Sequence, residues 1–114
     1  MLAKRNRITH GRDYRGTVRR GAKFVGPHTV TYIRASDDSS SDARFGFIVT
    51  KAVGVAVVRN RVRRRLKAAS FALLPGITPG VDVVVRVLPQ AASQPYGVLF
   101  EELSRSLTKG SVLA

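Results

Sequence analysis

Between positions 56 and 73 the apolar residues Val58, Val62, Leu66, Ala69 and Leu73 recur at steps of 4, 4, 3 and 4. That is the period of an amphipathic helix with a single apolar stripe. Leu74-Pro75-Gly76 ends it. At about 100° per residue, Arg59 and Arg65 flank the stripe on opposite sides. Asn60, Arg63, Arg64 and Lys67 fill the far face, with Arg61 between them and Arg65. Phe71 falls outside the stripe and is assigned only to packing near the helix end. Two runs before this helix alternate as strands do. Residues 29–35 (TVTYIRA) are rich in β-branched side chains, and residues 44–50 (RFGFIVT) carry Phe, Ile and Val. The polar, acidic stretch 36–42 between them reads as an exposed hairpin loop. Residues 81–88 (VDVVVRVL) are almost continuously apolar, which predicts a strand buried on both faces in the middle of a sheet. Residues 96–108 read as a helix turning Val98 or Leu99, Leu103 and Leu107 to the core. Residues 11–20 read as a short helix with Tyr14 and Val18 at i,i+4. The order is α-β-β-α-β-α, an α+β fold built as a two-layer α/β sandwich.

The chain's 114 residues suit a single domain. It lacks cysteine, which excludes disulfides, thiolate metal sites and cysteine nucleophiles, and His10 and His28 are the only imidazoles. No stretch approaches the ~20 apolar residues of a membrane span. The basic N-terminus runs into Ile8-Thr9-His10-Gly11-Arg12 rather than an apolar segment, so no secretory signal is expected and the cytoplasm is the expected compartment.

Charge sharpens the picture. Residues 1–67 hold 17 of the 20 cations and 4 of the 7 acids, which is the entire net charge of +13. Self-repulsion of that size favours a polyanionic partner, with nucleic acid the commonest and an anionic membrane the alternative. The helix concentrates it. Residues 59–67 contain six cations and no acid, whereas solvated helical faces usually mix signs to gain i,i+4 pairs. On the 29–35 strand, His28, Val30, Tyr32 and Arg34 share one face. An aromatic beside a cation is either a nucleotide platform or half-buried core, and the pattern admits both.

Catalytic signatures are missing. The chain has no Walker-type loop, no G-x-G-x-x-G and no H-E-x-x-H. Asp37, Asp38 and Asp42 lack the spacing of an EF-hand, Asp82 is expected to pair with a nearby arginine, and Glu101 and Glu102 point to different sides of a helix. No acid/base pair converges and no metal site is expected, so the residues alone describe a basic binding module.

The run Lys51-Ala52-Val53-Gly54-Val55-Ala56-Val57-Val58-Arg59-Asn60-Arg61-Val62-Arg63-Arg64-Arg65-Leu66 resembles the protein subunit family of bacterial ribonuclease P, whose signature is a lysine, Gly-x-Ala and Arg-Asn-Arg followed by further basic residues. Lys4-Arg5-Asn6-Arg7-Ile8, Tyr14 and Arg44-Phe45-Gly46-Phe47 resemble it too, so the likeness covers about residues 4–107. Three positions depart from the pattern. Relatives often have an aromatic at Val18, many have Asn at Val55, and some have a second lysine at Ala52.

The resemblance implies a ribosomal-protein-like fold with a left-handed β-α-β crossover, against the usual right-handed rule. It implies one RNA-binding domain, 1–114, with a basic arm over about residues 1–8 and a flexible tail over about 109–114. Its function would be to help a catalytic RNA remove the 5′ leader of precursor tRNA. That RNA and the Mg²⁺ it mainly holds would do the hydrolysis, leaving no catalytic residue in the protein. Arg59, Asn60, Arg61, Arg63, Arg64, Arg65 and Lys67 would face the RNA subunit. Tyr14, Val18, Val30, Tyr32, Phe47 and Lys51 would hold the leader. The implied partners are the ribonuclease P RNA and precursor tRNA, with neither a membrane nor a small-molecule substrate, and with a protein that is monomeric or weakly self-associating. A ribosomal or ribosome-assembly protein is the alternative reading, and a self-sufficient nuclease a third.

Overall fold

A computed structural model describes residues 2–36 and 41–113. Three helices surround one four-stranded sheet: α1 (Gly11–Arg20), β1 (Ala22–Val25), β2 (Thr29–Ala35), β3 (Arg44–Ile48), α2 (Ala56–Leu73), β4 (Val81–Val87) and α3 (Tyr96–Lys109). The strand order is β1-β2-β4-β3. β4 lies at the centre, antiparallel to β2 and parallel to β3. Its valines explain this placement. Val81, Val83, Val84, Val85 and Val87 are all buried, so only the interior position shields both faces.

Two sequence expectations change here. β2 and β3 do not form a hairpin, because the valine strand inserts between them and makes β3-α2-β4 a parallel crossover between neighbours. Asp37 and Asp38 of the expected acidic loop lie outside the described residues, while Asp42 lies 3.5 Å from Arg5. β1 is an added strand. It is four residues long with only Phe24 half-buried, too short and too exposed for its periodicity to show.

Side chains alternate across the sheet. One face carries Ile33, Phe45, Val83, Val85 and Val87 against Val62, Leu66 and Ala69 of α2 and Leu99, Leu103 and Leu107 of α3. The other carries Val30, Tyr32 and Val84, covered by Ile8 and by Tyr14 and Val18 of α1. So α1 adds a partial layer behind the two-layer core.

Residues near both limits of the described chain pack against the domain. Leu2 and Ile8 are buried, Asn6 Nδ2 donates to the Ala43 carbonyl (2.9 Å), and the Ile8 amide donates to the Phe45 carbonyl (2.8 Å). At the other end Val112 is buried and Leu113 bridges Ile77. The N-terminal segment therefore lies along the open edge of β3, and Val112 and Leu113 pack against the core.

Candidate nucleic-acid interface

α2 follows the sequence reading closely. Val62, Leu66 and Ala69 are fully buried, and the stripe fixes which way the remaining residues face. Gly54 precedes the helix at φ 153°, where a Cβ would lie 2.9 Å from Val58 Cγ1, so glycine alone makes this approach without strain. Its carbonyl accepts from Arg59 Nε (3.1 Å). Arg61 and Arg65 turn sideways: Arg61 Nη2 donates to the Ala92 carbonyl (3.3 Å) and Arg65 Nη1 to the Gln94 carbonyl (2.6 Å). These two arginines tie α2 to the segment before α3. Arg63 Nη1 donates to Asn60 Oδ1 (2.7 Å), which sets both groups on the exposed side.

Asn60, Arg63, Arg64, Lys67, Ala68 and Phe71 line one groove along that side. Among the described residues, every ion pair is made elsewhere: Arg5–Asp42, His28–Glu102, Arg44–Asp13 and Arg44–Asp82. Among the described residues Arg59, Arg61, Arg63 and Arg65 of α2 meet backbone carbonyl or amide oxygens, and no cation of the helix meets a carboxylate. Six positive charges in nine residues thus stand with no carboxylate beside them among the described residues, an arrangement chemically suited to phosphates.

A second groove begins where α2 meets the edge of β3. Lys4, Arg7, Ile8, Thr9, Tyr14, Phe45, Phe47, Arg63 and Lys67 line it. Arg63 and Lys67 belong to both grooves, so the helix face and the β3 edge form one continuous basic surface. Around Tyr14 a third depression is lined by Arg15, Val18, Arg19 and Ile48. Tyr14 is seated on Gly46, where a Cβ would come within 2.5 Å of the ring. Phe47 stacks on Phe45, with centroids 6.5 Å apart and planes 10° apart.

The positions expected at a leader site therefore divide. Tyr14, Val18 and Phe47 line open grooves. Val30 and Tyr32 are buried at 5% exposure beneath α1, so Tyr32 is core packing here and its ring offers no open face for a base. The α1 stripe that covers it was visible in the sequence, but which strand it covers was not. Lys51 is exposed on a short turn after β3 and lines neither groove. Lys4, Arg7, Arg15 and Arg19 join the surface unforeseen. The basic run at the N-terminus was the available signal, and its docking on β3 depends on contacts some forty residues apart.

The acids are engaged structurally. Arg44 donates to both carboxylate oxygens of Asp82 (Nε 2.9 Å, Nη2 2.8 Å) and lies 3.6 Å from Asp13 of α1. The hydrogen bonds to Asp82 hold the Arg44 guanidinium above its ordinary pKa, against the opposing effect of partial burial. Glu102, buried on α3, accepts from the His28 amide (3.1 Å), His28 Nδ1 (2.8 Å) and the Thr29 hydroxyl (2.5 Å). Among the described residues no three His, Asp or Glu side chains gather, so these donors do not fit a bound metal ion. Among the described residues no helix is long and apolar enough to cross a membrane.

A profile of the Ribonuclease P family matches residues 2–110. The chain belongs to the ribonuclease P protein family. It is 47% identical over 110 residues to the ribonuclease P protein component of Clavibacter michiganensis, covering 96% of each chain. To that of Mycobacterium avium it is 38% identical over 112 residues, covering 96% of this chain and 94% of the relative. The fold matches the Staphylococcus aureus RNase P protein at a TM-score of 0.85 and 22% identity, over 97% of this chain and 100% of that one. The Thermotoga maritima RNase P protein matches at 0.80 and 21%, over 92% and 97%. The chain is thus a subunit of a tRNA-processing endoribonuclease. These relatives do not favour the ribosomal-protein alternative.

Proposed function

We propose that this ribonuclease P protein grips the RNA subunit with the exposed side of α2 and holds the 5′ leader of precursor tRNA along α1 and the β3 edge. The RNA does the cutting. The observation that carries this reading is the face of α2, where Asn60, Arg63, Arg64 and Lys67 stand together with no acidic partner among the described residues. Each phosphate neutralised there releases counterions, so binding gains entropy and weakens steeply with salt. Along the second groove, Tyr14 and Phe47 supply rings while Lys4, Arg7, Arg15 and Arg19 supply charge, the combination that suits a single strand.

Hydrolysis belongs to the RNA in this reading because Asp13, Asp82 and Glu102 are committed to the protein's own scaffold. Asp13 and Asp82 hold Arg44, and Glu102 holds His28 and Thr29. Any Mg²⁺ serving the reaction would be bound by RNA, since no matching donor set gathers among the described residues. The protein acts in the cytoplasm as a monomer or with weak self-association, since a like-charged α2 face disfavours its own copy. The test mixes the protein with ribonuclease P RNA and precursor tRNA at low Mg²⁺. Leader removal is expected to speed up several-fold with protein. Equal rates with and without it, or cleavage by protein alone, would overturn the reading.

A further inference from the structure

Phe71 has no role in the core. It is 50% exposed on the side of α2 opposite the buried stripe, in the groove lined by Asn60, Arg63, Arg64, Lys67 and Ala68. Lys67 and Arg64 precede it by about one and two helical turns, so ring and cations lie along one line of the helix surface. An exposed phenyl ring keeps apolar area in water and gains nothing for the isolated domain. A second copy of the chain is a poor cover for it, because each face would bring its own unpaired cations against the other. A polyanion that also carries flat apolar rings satisfies both features, and single-stranded RNA is that ligand.

We propose that Phe71 is a stacking platform for an unpaired base of the RNA subunit, with Arg63, Arg64 and Lys67 holding the adjoining phosphates. The proposal rests on the reading of α2 as the RNA-facing helix and adds a base contact to it. Stacking on one aromatic side chain is worth about 5- to 150-fold in affinity. Because the contact neutralises no phosphate, its loss leaves the salt dependence untouched.

The experiment measures binding of the full chain to the ribonuclease P RNA of Clavibacter michiganensis across a salt series. It compares the wild-type protein with Phe71→Ala, Phe71→Leu and Phe71→Trp. Phe71→Ala is expected to weaken binding at least about fivefold with the slope of log affinity against log salt unchanged. Phe71→Leu, apolar but without a π-face, should lose most of that affinity, and Phe71→Trp should stay within about twofold of wild type. Thermal melts of the free proteins should coincide, and at least one unpaired nucleotide protected by wild type should become reactive to base-modifying reagents in the Phe71→Ala complex.

Phe71→Ala binding as tightly as wild type would overturn the proposal. So would an equal loss in Phe71→Trp, or a wild-type dimer that Phe71→Ala abolishes without changing RNA affinity. Should wild type itself show no salt-dependent binding, the reading of α2 falls and this proposal with it. If wild type binds steeply and Phe71→Ala matches it, only the role of Phe71 is lost.

Discussion

Arginines that look equivalent in the sequence have two kinds of surroundings. Arg64 reaches only solvent and its groove, while Arg65 and Arg61 donate to carbonyls of the segment leading into α3. Arg65→Ala should therefore cost about 1 kcal/mol of folding stability in urea titrations, and Arg64→Ala should leave the midpoint unmoved while weakening RNA binding. Tyr32 and Tyr14 divide similarly. Tyr32 is buried, so Tyr32→Ala should destabilise the protein by about 3 kcal/mol, the usual result of emptying an aromatic site in a core. Tyr14 lies half-open over Gly46, and Tyr14→Ala should chiefly lower affinity for the leader, read by comparing precursor tRNA with mature tRNA. The alternation of β2 put Tyr32 on a face with Arg34, which left both platform and core open. Only the docking of α1 on that face decided between them, a contact made by residues far apart in the chain.

Among the elements, α2 was legible in full and the sheet only in part. The helix announces itself through local spacing, and its observed limits coincide with the periodic run and its Leu-Pro-Gly stop. Strand neighbours are a long-range matter. The valines of β4 signalled a central position, yet that same fact should have removed the β2–β3 hairpin, because a strand buried on both faces needs a neighbour on each edge. Arg44 is the cross-link that the resulting arrangement requires. It joins β3 to Asp82 of β4 and reaches Asp13 of α1, which positions the helix carrying Tyr14. Arg44→Met leaves the buried Asp82 carboxylate without its donor and should cost about 2 kcal/mol in chemical denaturation. Asp13→Ala removes only a half-exposed 3.6 Å contact and should cost less than about 1 kcal/mol. Since the guanidinium pKa is raised, the Arg44 contribution is fully present below the ordinary arginine range and is lost only in strong alkali.

For the whole molecule the net charge of +13 governs both stability and binding, with opposite signs. Screening relieves self-repulsion within the free protein, so added salt should raise its melting temperature. The same salt competes for RNA phosphates and should dissolve the complex. Sequence arithmetic already placed the excess charge in the first 67 residues, but not on a surface. The fold brings the N-terminal segment, α1 and α2 around one edge of the sheet, where Arg63 and Lys67 line both adjoining grooves. The most direct measurement of that surface is the slope of log affinity for ribonuclease P RNA against log salt, compared between wild type and the combined Arg63→Ala, Arg64→Ala, Lys67→Ala protein. A slope reduced in magnitude by about three, with folding intact, is the predicted result. An unchanged slope would mean that the RNA is held elsewhere.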